Sequence, residues 1–570
     1  MNSKTPCSLF DASLAAGLQL LDRGAMLCRY STDGTATFQG RPHDDAQASV
    51  LTILGLLARD APGDRPIAAG ILRALDATTP SWNVGFRLFL LGYLAHAIDA
   101  GAAADAGPEF RRLLAKALRD AATVVSARKP GHVHRPEYTN FWLLDLAGLT
   151  LAGQHLGAPE WTALGRAMLD RFESCHAGRE APQEFCSPTY TPIQMAALLA
   201  LGQYARDPVV AAVVRARQRW LWTHLRNHYD ARAGVLTGPW SRAYPADMSG
   251  LQPVLHTMLA AKHGCPAATD ESMGSAVPKG ILAWGVFFHM ARSAWLPDLV
   301  DDAGLSDALV ERIPASRGNV LLTAAPAGPL RLGSISEWCL WEQVVPVALH
   351  AAGRREPLLL HLAGHDREVG TRLRCRQDSA RLLAAMSYTA VSLETDPDMG
   401  ISRGLPHGPL TSLGQILRLP GRLPEWRLWI DGAPAAGESR PLPPGAPVVV
   451  DFGCGAVGLL LGEPTRLGQG AGLSLEIAGG DAAVLMRHFA GEPRLVQPDP
   501  AAALYSWYYL EARHGPDAAR ALTADLRALR VTDAVRRGAE RVIRAGALEV
   551  EFDASITAAG RWTSNGWETP

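Results

Sequence analysis

At 570 residues the chain exceeds what one ordinary core organises, so two large domains are expected. Hydrophobic residues make up 48% and charged residues 19%, a balance that excludes a disordered chain. A net charge of −1, from 55 basic and 56 acidic residues, excludes the positive footprint that nucleic acid or an anionic membrane surface requires.

In chain order, the first half is a procession of apolar segments of helical length separated by short polar or Gly/Pro breaks. Helices are expected over about 9–23, 43–60, 65–77, 83–100, 107–126, 138–155, 158–175, 190–206, 208–228, 248–263 and 277–296. Several are apolar nearly all round. The stretch 141–151 carries Leu143, Leu144, Leu146 and Leu149 with one charge at Asp145, and such a helix must be covered on both sides. An inner ring of helices wrapped by an outer ring meets that demand, and the expected fold is an (α/α)5-6 toroid over 1–315. Asp11 interrupts the only early apolar stretch, so no secretory signal is read there. The most hydrophobic later segment, 280–300, contains His289, Arg292 and Asp298 and reads as a buried helix rather than a membrane span.

After about residue 315 short β-prone runs recur between turn signals, over 319–323, 382–393, 415–419, 426–430, 448–452, 473–477, 483–488 and 547–552. They predict an antiparallel β-sandwich over 316–570, with helical character near 338–352 and an ambiguous 513–545. The string VVVDFGCGAVG over 448–458 is a formal G-x-G-x-x-G after a strand, as in methyltransferases that bind S-adenosylmethionine. That chemistry needs a helix starting at the glycines, and Gly462 and Pro464 stop the short run that follows, so a turn between strands is expected.

The eight cysteines (Cys7, Cys28, Cys175, Cys186, Cys265, Cys339, Cys375 and Cys454) show no C-x-x-C pair, which points to reduced thiols in a cytoplasmic protein. No metal or other cofactor is expected. His224 and His228 share a helix face at i and i+4 but lack the H-E-x-x-H glutamate.

Three stretches place polar and aromatic residues just before expected helices, where a toroid opens its cavity. They hold His134, Glu137, Tyr138, Asn140 and Trp142; then Glu184, Cys186 and Tyr190; then Trp240, Arg242, Tyr244 and Asp247. Sugars need that mixture, since hydroxyls want fixed donors and acceptors while the ring face wants an aromatic platform. The same positions also suit helix caps and core aromatics.

The helical half followed by a β-sandwich resembles polysaccharide lyases of the heparinase, chondroitin and alginate lyase type. The strings EFCSPTY (184–190) and GPWSRAY (238–244) are similar to the E-[FY]-x-S-P-T-Y and G-P-x-S-R-x-Y of a set of uncharacterised bacterial toroid proteins. The lyase resemblance implies β-elimination on a uronate-containing glycan. Asn140 would neutralise the carboxylate with Arg242 as a second donor, and Tyr190 and Tyr244 would move the protons. The lyase pattern places a His after the Asn, whereas this chain has Phe141; His134, His224 and His228 are the replacement bases available. Glu137, Glu184 and Asp247 instead offer the carboxyl pair of a glycoside hydrolase. Cys186 stands where Asn or Gly is expected in its string. This departure opens a second reading, similar to linalool dehydratase-isomerase, in which Cys186 serves a (de)hydratase, isomerase or cyclase of a hydrophobic small molecule. A third reading is a catalytically inactive carbohydrate-binding scaffold. The partner is a small molecule or an oligosaccharide in every case, with no nucleic acid and no membrane.

Overall fold

The computed structural model describes residues 28–30, 36–38, 41–42, 46–76, 84–128, 136, 138–243, 253–263, 284–295, 308–313, 320–338, 340, 343–365, 370–389, 409–420, 426–435, 438–478, 481–496, 499–556, 561–563 and 566–568. Two compact units form. The first comprises Met1–Gly178, Pro188–Thr223 and Leu251–Asp301; the second comprises Arg179–Ser187, His224–Gly250 and Asp302–Pro570. Two segments from within the helical half therefore group with the β-rich remainder.

The first unit is an α/α toroid built from helices α1 (Ala46–Arg59), α2 (Asp64–Asp76), α3 (Val84–Asp99), α4 (Pro108–Ser126), α5 (Thr139–Leu156), α6 (Pro159–Cys175), α7 (Tyr190–Tyr204), α8 (Pro208–His228), α9 (Pro253–His263) and α10 (Trp284–Met290). Residues of α8 from His224 onward belong to the second unit. The expected helices from 43–60 to 208–228 match these with small shifts of their ends; 277–296 is a short helix followed by a 3-10 turn over Ala291–Ala294, and 9–23, 248–252 and 277–283 lie outside the described residues.

Composition sorts the helices into two rings. From Val84 to Ile98 every residue of α3 is buried, and α5 and α7 are buried over most of their length, so these are inner helices. Helix α4 buries one stripe, Phe110, Leu113, Leu114, Ala117, Leu118, Ala121, Ala122 and Val125, and turns its charges outward. Gly157 in the left-handed conformation ends α5, and Pro159 starts α6 two residues later, which makes a tight inner-to-outer hairpin. The last described helix, α10, packs against the first, α1, which closes the ring.

The inner helices run parallel. A Cβ added to Gly85 would strike Asp145, one on Gly148 would strike Leu88 and Phe89, and one on Gly92 would crowd Leu151, so α3 and α5 advance together. At their C-terminal ends His96 lies 5.9 Å from His155 and stacks at 5.4 Å on Tyr204, and Gln203 donates to the Met290 carbonyl. The N-terminal ends of α3, α5, α7 and α10 therefore share the opposite rim.

The second unit is an antiparallel β-sandwich. One nine-stranded sheet runs Arg440–Pro441, Gly472–Ala478, Asp481–Arg494, Leu410–Leu419, Leu359–Ala363, Val347–Ala351, Leu330–Ile335, Val320–Ala327, Leu309–Ile313. The facing eight-stranded sheet runs Ala433–Pro434, Arg427–Ile430, Val448–Asp451, Gly455–Leu461, Tyr505–His514, Arg381–Thr389, Gly370–Asp378, Glu337–Trp338. Leu332, Leu349, Leu417 and Val484 of one sheet meet Leu373, Leu382, Val450, Leu459 and Leu510 of the other in a common core. A second core on the outer face joins helix α11 (Ala518–Ala528) to the eight-stranded sheet, with Leu522 and Leu526 against Leu383, Val449 and Leu460.

One expectation needs correction. The described residues of 338–352 form no helix: Val347–Ala351 is a strand buried on every residue and paired on both edges, and its run, apolar but for His350, is that of a central strand. The ambiguous 513–545 resolves into the end of one strand, α11, and two strands of a small meander. The glycine string at 448–458 is a turn between Val448–Asp451 and Gly455–Leu461, as expected. Gly453 takes φ 79°, and its N–H is held 2.8 Å from the Asp451 carboxylate.

Candidate functional site

The rim at the N-terminal ends of the inner helices gathers one of the three stretches and the end of another. Tyr138 precedes α5, Asn140 is fully buried in its first turn, and half-buried Tyr190 opens α7. Aromatic rings fill in around them: Phe141 meets Tyr138 at 5.3 Å and Phe86 edge-on at 5.9 Å, and Phe86 meets Trp284 at 6.4 Å. Helix N-termini leave backbone N–H groups unmet within the helix and carry the positive end of its dipole, so this rim suits an anion. Trp142 is used otherwise. Its indole N–H donates to the Met168 carbonyl, and Arg171 lies over its ring.

In the second unit residues 184–187 and 238–243 fasten to each other. Ser241 donates through both its hydroxyl and its amide to the Phe185 carbonyl, and the Ser187 hydroxyl donates to the Arg242 carbonyl at 2.6 Å. Arg242 also donates to Glu184 at 2.7 Å and to the Gln343 side chain at 3.3 Å, a buried ion pair. Arg242 thus has a carboxylate of its own before any substrate arrives. Trp240 is buried too, its N–H on the Leu236 carbonyl and its ring edge-on to His350. A tryptophan so enclosed packs the core rather than offering a face to a sugar. His134, Glu137, Tyr244 and Asp247 lie outside the described residues.

The densest chemistry is a buried cluster at the end of α8. Cys186, His224 and His228 are at most 1% exposed. The Cys186 amide donates to His224 Nε2 at 3.0 Å, with the Cys186 sulfur 3.6 Å from the same nitrogen. Because Nε2 accepts, the ring proton sits on Nδ1, which donates to Glu311 Oε2 at 2.9 Å. His228 Nε2 donates to the same carboxylate oxygen at 2.9 Å, and Asn227 donates to Oε1 at 3.0 Å. Among the described residues His228 Nδ1 has no hydrogen-bond partner.

The electrostatics follow from burial. It lowers His228 to about 4 despite the neighbouring carboxylate, so the ring is neutral near pH 7. It also raises the Cys186 thiol well above its usual range, with the Glu311 charge adding to the effect. Burial acts to raise Glu311 as well, but His224 and His228 overcome it and hold the carboxyl below its ordinary range.

Glu311 and Asn227 were missed in the sequence. The signal for Glu311 was present: in Leu309–Ile313 the buried positions alternate, and Glu311 takes the inward place before Ile313. A lone inward carboxylate on a strand calls for polar partners, here supplied from 83 and 87 residues away.

A family model described as a domain of unknown function (DUF8769) matches residues 102–279. No curated protein matches. Among solved structures the chain is similar to heparinase III (10% identity, TM-score 0.39, covering 88% of this chain and 82% of that one). It is also similar to Streptomyces coelicolor chondroitin AC lyase in complex with chondroitin sulphate (12%, 0.41, 96% and 84%). A third is a mutant unsaturated glucuronyl hydrolase from Streptococcus agalactiae (8%, 0.29, 54% and 84%).

Proposed function

We propose that this protein is a carbohydrate-active enzyme that cleaves a uronate-containing glycan by β-elimination, with the toroid rim as its site. One observation carries the reading: Asn140 and Tyr190 stand at the N-terminal ends of parallel inner helices that share one rim. The positive helix ends and the Asn140 amide draw electron density from a sugar carboxylate, which makes the adjacent C–H bond acidic enough to break. Tyr190 then moves a proton, from the ring carbon or to the leaving oxygen.

The hydrophobic-substrate reading fares less well, because burial holds its suspect thiol in the neutral form, which is a poor nucleophile. An inactive scaffold would bind glycans without turnover. Incubation with a panel of uronate oligosaccharides, followed by ultraviolet absorbance of the unsaturated product, separates the three. Tyr190→Phe and Asn140→Ala should each abolish the signal while the circular dichroism spectrum stays unchanged. Intact substrate across the panel refutes the lyase reading, and full activity in either variant removes that residue from it.

A further inference from the structure

We infer that Cys186, His224 and His228 form a binding site for a thiolate-seeking divalent transition metal of the zinc class, oriented by Glu311. The inference stands independently of the glycan reading. One ligating atom from each residue falls within 4.8 Å of the other two, and the Cys186 sulfur lies 3.6 Å from His224 Nε2. Tetrahedral zinc with bonds of ~2.3 Å to sulfur and ~2.0–2.1 Å to nitrogen puts sulfur and nitrogen about 3.6 Å apart and two nitrogens about 3.3 Å apart. One edge, from the Cys186 sulfur to His224 Nε2, is already at that length.

The hydrogen bonds prepare both rings. Glu311 takes the N–H of His224 Nδ1 and of His228 Nε2, which fixes the tautomers and leaves the lone pairs on His224 Nε2 and His228 Nδ1. A carboxylate orienting metal-bound histidines in this way also strengthens them as donors. The first lone pair receives the Cys186 amide, a bond the metal would replace, and lies 3.6 Å from the Cys186 sulfur; the second is buried and, among the described residues, has no hydrogen-bond partner. On binding, the thiol proton leaves to solvent, and the resulting thiolate together with Glu311 opposes the divalent charge. Arg331, buried and donating to the Asn227 carbonyl, balances Glu311 in the metal-free protein. Three protein ligands leave a fourth position for a small ligand such as water.

The backbone points the same way. Cys186 has φ 43°, a left-handed conformation natural to Gly and Asn but unfavourable for cysteine. A strained residue whose side chain faces two histidines is held there for that side chain.

The test uses the full chain, stripped with a chelator and then titrated with zinc or cobalt(II). The inference expects about one metal per chain and, with cobalt, a thiolate-to-metal charge-transfer band. Cys186→Asn suits the backbone, so it should keep the circular dichroism spectrum and lose the band; Glu311→Gln should weaken binding by about 10–100-fold. Cobalt binding to the unaltered chain without that band overturns the inference, as does failure to take up either metal. Unchanged affinity in Cys186→Asn overturns it too.

Discussion

His488 lies inside the β-sandwich with both ring nitrogens engaged. Nδ1 donates to the Thr465 carbonyl at 2.7 Å, and Nε2 faces the Ser506 hydroxyl at 3.4 Å, which in turn accepts from Gln415 at 2.8 Å. Tyr388 meets the ring edge-on at 4.8 Å. This arrangement suits the neutral ring, and burial lowers the group from 6.5 to about 4 although the Thr465 bond favours the charged form. A depressed folded-state pKa means that the unfolded chain binds the proton first. The stability is therefore fully present above pH 6.5 and is lost as pH falls toward 4. Between pH 7 and pH 5 this one ring removes roughly 2 kcal/mol of stability. His488→Gln keeps polar atoms in the space without a titrating ring. Urea unfolding of wild type and variant at both pH values, followed by tryptophan fluorescence, isolates the effect as a difference of differences. The variant should start less stable at pH 7 but lose roughly 2 kcal/mol less on acidification. An identical acid response in the two proteins refutes the reasoning, whatever their absolute stabilities.

Glu184→Gln should cost about 3–5 kcal/mol by leaving the buried Arg242 guanidinium without its carboxylate, and Glu184→Leu with Arg242→Met should recover most of that in urea melts. Gly148→Ala puts a methyl 2.7 Å from Leu88 and 3.0 Å from the Phe89 amide, so it should destabilise the toroid by about 1–3 kcal/mol and lower the Tm seen by calorimetry. Lowering pH from 7 toward 4 should further weaken the second unit through His350 and His361, which burial holds near 3, and replacing either with a residue that does not titrate should flatten the thermal response to acid.

The helical half was legible because each hairpin repeats one physical contrast. An inner helix covered on both sides has no polar face, as in α5, whereas its outer partner shows a single apolar stripe, as in α4. Strand-rich sequence carries less of its own structure. Val347–Ala351, apolar but for His350, and Gly455–Leu461 are buried on both faces, so no alternation marks them as strands, and the former reads equally well as helix. The rim residues Asn140 and Tyr190 could be picked out because helix starts are locally encoded. No described helix is long and apolar enough to cross a membrane, in line with the charged residues read within 280–300. The i, i+4 pair His224 and His228 could be read from spacing, but its completion by Cys186, 38 residues before His224, and by Glu311, 87 and 83 residues beyond the two rings, could not.

Cys186 shows how a local anomaly and a distant contact can be one fact. Its string leads to an expectation of Asn or Gly, and its φ of 43° gives the reason, because those residues accept the left-handed backbone at little cost. Cysteine at such a position costs the fold roughly 1 kcal/mol, and its thiol also gives up solvent. A pairing limited to an amide bond on His224 does not account for that, since Asn or Gly would make the same amide bond with less strain. What only cysteine adds is the sulfur 3.6 Å from His224 Nε2, beside a second histidine whose remaining lone pair is buried. The departure from the expected string therefore argues that the sulfur itself is the selected feature, and a ligand atom for a metal is the use that its surroundings fit.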